Sequence, residues 1–169
     1  MQQVDIAGTP GWIDFAPEEL PHEKARRLHA LWVERKGEGL LPLRSAFHVR
    51  DLRFCLTEIA LVEVVDGPPH FIVRVFGSDA ADLSGRELTG RPMDFKGPRE
   101  RGFWMLRHRK PFFVEDQRVT WSDRFYRHYD VLALPLTRDG ETVSHILYWF
   151  HFYVGALEMS EAADGTNGR

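Results

Sequence analysis

The placement of the strand-forming runs limits this fold more than any other feature. Residues 59–65 and 71–76 are β-branched and apolar, and they flank Asp66-Gly67-Pro68-Pro69, a strong turn signal. Three further runs cover 112–121, 128–137 and 142–154, the last two joined through Arg138-Asp139-Gly140-Glu141 as a hairpin. Between the two groups the signals are helical. Ser78 is a good N-cap and Gly85 a good residue just past a helix end, which predicts a short helix over 79–84. Pro98 opens a second helix that carries Phe103, Trp104, Met105 and Leu106 and ends before Pro111. Two strands, then helices, then three strands implies an α+β fold: a five-stranded antiparallel sheet with helices on one face. Pro135 lies inside the 128–137 run, which predicts an edge strand or a bulge there.

The N-terminal part reads differently. Residues 1–16 show no period and contain Gly8, Pro10 and Gly11, so they read as a loose arm with Trp12, Ile13 and Phe15 docking on the body. Pro17-Glu18-Glu19 resembles a helix start, Ala25, Leu28, Leu31 and Trp32 follow at helical spacing, and Gly37 supplies a stop. An amphipathic helix over 18–36 follows, with its stripe on the outer sheet face or on a partner subunit. A connector and a short helix over 50–56 lead into the first strand. From Ala156 the chain turns small and polar and reads as a disordered tail. The expected division is therefore an arm and helix over 1–39, a domain over 40–154 and a tail over 155–169.

Composition narrows the function classes. With 169 residues, 43% apolar and 28% charged, the chain suits one globular domain that folds without a metal or disulfide staple. A net charge of −3 argues against a dedicated nucleic-acid binder. The single cysteine, Cys55, permits no intrachain disulfide and fits a reducing compartment. The start Met1-Gln2-Gln3-Val4-Asp5 lacks a signal-peptide pattern, and no uncharged apolar run approaches membrane-spanning length. These readings predict a cytoplasmic protein with neither a nucleic-acid nor a membrane partner.

The order of elements is similar to that of the PAS domain. The residues that carry the resemblance are Phe71-Ile72-Val73-Arg74-Val75-Phe76-Gly77-Ser78 followed by Leu83-Ser84-Gly85-Arg86-Glu87-Leu88-Thr89-Gly90. They resemble the second strand, first helix and following turn of a bacterial PAS subfamily found mostly as stand-alone proteins in alphaproteobacteria. Leu41-Pro42-Leu43-Arg44-Ser45 upstream, and Leu134-Pro135-Leu136 with Asp139-Gly140 downstream, fit the same subfamily. The resemblance covers about residues 18–154. It implies a five-stranded sheet cradling helices, a small interior cavity and a signalling or adaptor role.

The chemistry-bearing residues favour no cofactor. Flavin photoreceptors of the PAS class need a cysteine between the second and third strands, whereas Cys55 precedes the first and reads as a buried thiol. His108 stands where haem-binding PAS domains offer an axial ligand. Arg107, Arg109 and Lys110 beside it instead suit a solvated helix C-terminus. His145 and His151 share one strand face but stand roughly 20 Å apart, too far for one ion. Phosphate-loop and nucleophile-elbow motifs are absent. Arg99, Arg101, Arg107, Arg109 and Lys110 read as a charged outer helix face. Along the last strand His145, Leu147, Trp149, His151 and Tyr153 alternate with Ile146, Tyr148, Phe150 and Phe152, so both faces predict cover.

The resulting expectation is a non-enzymatic sensor or adaptor. It would hold a small apolar ligand between the 98–110 helix and the inner sheet face, contact a signalling protein partner through the sheet, and form a homodimer. The candidate ligand-binding residues are Arg74, Phe103, Trp104, His108 and Tyr148. The alternative is a small enzyme of isomerase or dehydratase type on a curved sheet. Such folds put their helices before a run of consecutive strands, and here helices split the strands.

Overall fold

A computed structural model describes residues 1–124 and 126–155 of the chain. The expected tail over 156–169 lies outside the described residues. The strands are β1 (Gln2–Ile6), β2 (Thr9–Ile13), β3 (Ile59–Val64), β4 (Phe71–Phe76), β5 (Phe112–Arg118), β6 (Arg127–Thr137) and β7 (Val143–Val154). The helices are α1 (Glu23–Lys36), α2 (Ser78–Ser84) and α3 (Pro98–His108), with short 3-10 turns between Arg44 and Glu58. All seven strands form one antiparallel sheet in the order β1-β2-β5-β6-β7-β3-β4.

Seven strands replace the expected five, because the loose arm is a hairpin. Ala7 and Gly8 both take positive φ (54° and 86°) between paired Ile6 and Thr9, a two-residue turn whose twist suits a hairpin. Ile6 and Ile13 are buried, and Trp12 pairs with Phe113 to join β2 to β5. Gly11 gives Ile6 room: a Cβ there would stand 2.5 Å from Ile6 Cδ1, which would have to shift. Its weak strand propensity is what hid the strand from sequence reading.

The 18–36 helix also starts later than expected. Residues 17–19 form a separate 3-10 turn, and Leu20 is extended (φ −75°, ψ 141°) because it precedes Pro21. α1 then runs from Glu23 and buries Ala25, Leu28, His29 and Trp32.

Of the two expectations for Pro135, the edge strand is corrected, since β6 lies between β5 and β7, while a register shift against β7 falls next to it, between Leu136 and Thr137. The β5 pairing reaches only to Ala133, so the side that Pro135 leaves without an N–H has no strand to bond. Its carbonyl, on that same side, accepts a 2.8 Å hydrogen bond from Trp32 Nε1.

The register sorts the two faces. Val62, Tyr129, Val131, Tyr148 and Phe150 point inward beneath α3 and residues 85–97. Leu132, Leu134, Leu136, Leu147 and Trp149 point outward, beneath α1 and the 44–58 turns.

Candidate functional site

The inner face is closed by an unusual helix. Gly97 (φ 95°) and Pro98 start α3, and Glu100 accepts a 2.6 Å bond from the Gly97 amide. Gly102 lets the helix lie close to the sheet: a Cβ there would meet Phe71 Cζ at 2.8 Å. At the helical spacing of Trp104 and Met105 stands Arg101, only 4% exposed. A residue read as part of a charged outer face is therefore a buried cation.

Arg101 lines a cavity whose other walls are apolar or aromatic, among them Val62, Val73, Leu88, Val131 and Phe150. The room inside is about 30 Å³, enough for one or two waters. Among the described residues, Arg101 is the one charged residue on its lining. It donates from Nη2 to the Tyr129 hydroxyl at 2.7 Å and from Nη1 to Gln117 Oε1 at 3.3 Å. Both acceptors are neutral, and no carboxylate among the described residues pairs with it. Two more polar groups on the wall, the Tyr148 hydroxyl and Trp121 Nε1, are buried with no hydrogen-bond partner among the described residues. Burial pushes the Tyr148 hydroxyl above the ordinary phenol range, offset in part by the Arg101 charge.

Only Phe95 and Pro98 of the lining are partly exposed, which locates the mouth at the end of the 85–97 segment. That segment is laced to the edge of β4: Val73 donates to Arg91 and accepts from Gly90, and Met93 donates to Phe71. Thr120 Oγ1 bonds Lys96 O at 2.9 Å, and Ser122 Oγ bonds Ser84 O.

Of the five residues singled out from sequence, Tyr148 lines this cavity and the other four do not. Arg74 is exposed and bonds Glu63 at 2.6 Å. Phe103 meets Phe71 and His70 edge-on. Trp104 is buried against Phe112 and stacks on His108 at 4.0 Å. His108 is exposed and its Nδ1 faces the Trp104 carbonyl at 2.9 Å. Sequence reasoning missed Arg101, Trp121 and Tyr129. For Arg101 a signal existed, since it lies three and four residues before buried Trp104 and Met105. Trp121 and Tyr129 carried none beyond strand alternation.

The outer face holds a second polar group of residues, and this one is closed. His22, just before α1, stands 2.8 Å from Asp130. Asp130 also accepts the Asp116 amide at 3.0 Å and the Tyr153 hydroxyl at 3.1 Å. Asp116 takes His128 at 2.6 Å and Tyr153 at 3.1 Å. Burial would raise the Asp130 carboxyl, but the bonds from His22, the Asp116 amide and Tyr153 outweigh it and hold the group below its usual range. Among the described residues no cluster of histidine, cysteine and carboxylate groups could hold a metal. Burial pushes the Cys55 thiol up to about 12, leaving it protonated and unreactive at neutral pH. No helix among the described residues is long and apolar enough to cross a membrane.

The sequence over residues 20–147, most of the chain, matches a family described as PAS domain. Among solved structures, the PAS domain from Bordetella pertussis BvgS is similar over 72% of this chain and 98% of its own, at 16% identity and a TM-score of 0.40. No curated protein matches.

Proposed function

This chain belongs to the PAS domain family, and on that premise we propose that it is a non-enzymatic sensor whose signal is a small molecule taken into the cavity between α3 and the inner sheet face. PAS domains are sensory and signalling modules, and the observation that carries this reading is the cavity itself. Its surface is almost wholly apolar, and Arg101, Trp121, Tyr129 and Tyr148 are among the residues that line it, the residue make-up of a small-molecule site. Its room of about 30 Å³ is below what an organic ligand needs. Entry therefore requires Met93 and Phe95 to move, and with them the 85–97 segment bonded to β4. A ligand that binds the opened form better shifts the population toward it, and that shift is the signal. Output then passes by protein contact. The exposed apolar residues Leu43, Val49 and Val75 lie beside the outer sheet face that α1 leaves uncovered, and they suit a signalling partner or a second copy.

Native mass spectrometry of protein purified from its own host tests the sensor reading. The expected result is a small-molecule adduct that leaves on denaturation and is absent from an Ala60→Phe variant, in which the added ring fills the cavity. Bare protein from the host, or an adduct that survives in a folded Ala60→Phe variant, refutes it.

A further inference from the structure

The geometry points to a ligand class: the cavity takes a monocarboxylate with a compact apolar body, its carboxylate held by Arg101 and received by the Tyr148 hydroxyl and Trp121 Nε1. The inference rests on the sensor reading above and adds the chemistry of what is sensed.

A guanidinium buried among apolar side chains is costly unless its charge is met. Arg101 is 4% exposed, its two acceptors among the described residues are the neutral Tyr129 hydroxyl and the Gln117 amide, and the 3.3 Å contact to Gln117 is long. Folding has thus placed a positive charge on the wall of a cavity and supplied no anion from the described residues. The Tyr148 hydroxyl and the Trp121 N–H stand on the same wall, buried and without partners. Both can donate, and Trp121 can only donate. Arg101, Tyr148 and Trp121 all line this one void, whose surface is otherwise apolar, and an acceptor-only group admitted as the wall opens would meet a cation and two donors. A planar carboxylate fits best, since it accepts from an arginine fork and keeps lone pairs for further donors. The charge count also selects. Arg101 is the single charged residue of the lining among the described residues, so a monoanion is neutralised while a phosphate near −2 would carry excess charge into an apolar site. Apart from Tyr129, whose hydroxyl already accepts from Arg101, the remaining wall, with Val62, Val131, Leu88 and Phe150, is apolar and suits a short aliphatic or aromatic body.

Paired probes test this on the full chain at neutral pH. Hexanoate and phenylacetate are titrated by calorimetry and by thermal shift beside hexanamide and phenylacetamide, which match them in shape and lack the charge. The acids should bind at least about tenfold more tightly than their amides, the margin expected of charge-assisted hydrogen bonds. Arg101→Met should remove that preference. Tyr148→Phe, which keeps the ring and deletes only an unpartnered hydroxyl, should weaken the acids several-fold and the amides less, since a neutral carbonyl accepts a weaker bond than a carboxylate; it carries the test if Arg101→Met does not fold. Amides binding as well as acids would overturn the carboxylate assignment and leave the sensor reading intact. Failure of both acids to bind overturns it as well, and the adduct from native protein then judges the sensor reading separately. An acid preference that survives in a folded Arg101→Met protein would equally overturn it.

Discussion

Successive residues of β7 meet opposite environments. Tyr148 points inward, is 6% exposed, and its hydroxyl has no partner among the described residues. Trp149 and Tyr153 point outward, and each is satisfied: Trp149 Nε1 donates to Glu58 at 2.9 Å, and the Tyr153 hydroxyl reaches Asp116 and Asp130. The part of the outer face under α1 is covered by the chain itself, through α1 and the His22–Asp130–Tyr153 bonds. On the inner face Arg101, Trp121 and Tyr148 line one void, and the Trp121 N–H and Tyr148 hydroxyl are without partners among the described residues. Polar groups left idle in a core lower stability. The two faces thus differ in how far the chain itself meets their polar groups, and mutations on the two should behave differently.

Trp32→Ala should give the largest effect. It removes a side chain 5% exposed and the bond to Pro135 O that fixes α1, a cost of about 3–5 kcal/mol. Denaturant unfolding measures it. A loss below about 1 kcal/mol would mean that α1 does not complete the outer face, and the contrast would fail.

Acidification comes next. Burial first of all holds His29 and His145 neutral, lowering each to about 4. In the unfolded chain each takes up a proton near pH 6.5. The unfolded state therefore binds more protons in between. Stability is intact above pH 6.5 and is lost as pH falls toward 4, by about 2–4 kcal/mol between pH 7 and 5. Unfolding curves across that range check it, and His145→Gln should remove about half of the slope. A flat profile would show that these imidazoles are not held neutral.

Asp130→Ala should cost about 1–3 kcal/mol, because the Asp116 amide, His22 and Tyr153 lose a common acceptor. Tyr148→Phe is expected to be the mildest. In ligand-free protein it should leave stability unchanged or raise it by up to about 1 kcal/mol, since the hydroxyl gains nothing where it lies. A clear loss from Tyr148→Phe would reveal a hidden partner and erase the difference between the faces.

Local regularity decided what could be read from the sequence. The runs over 59–65, 71–76 and 142–154 match β3, β4 and β7 to within a residue or so, because β-branched and aromatic residues at strand spacing have few other uses. The hairpin of β1 and β2 was not legible. Its Gly8, Pro10 and Gly11 are poor strand residues, and they are held by pairing with β5, about a hundred residues away. Arg101 was half legible: its spacing put it with Trp104 and Met105, and its charge argued for solvent.

The sequence by itself determined the α+β class, the two-then-three division of the domain's main strands and the apolar stripe of α1, all of which rest on turn chemistry and side-chain period within short windows. Only the tertiary structure decided that the sheet has seven strands, that Pro135 lies in an interior one, and that Arg101, Trp121 and Tyr148 line the same void. The reason is physical. Period and turn signals act over a few residues, whereas the fate of a buried charge depends on which distant groups the fold carries to it. For Arg101 the fold brought Tyr129 and Gln117 and, among the described residues, no carboxylate.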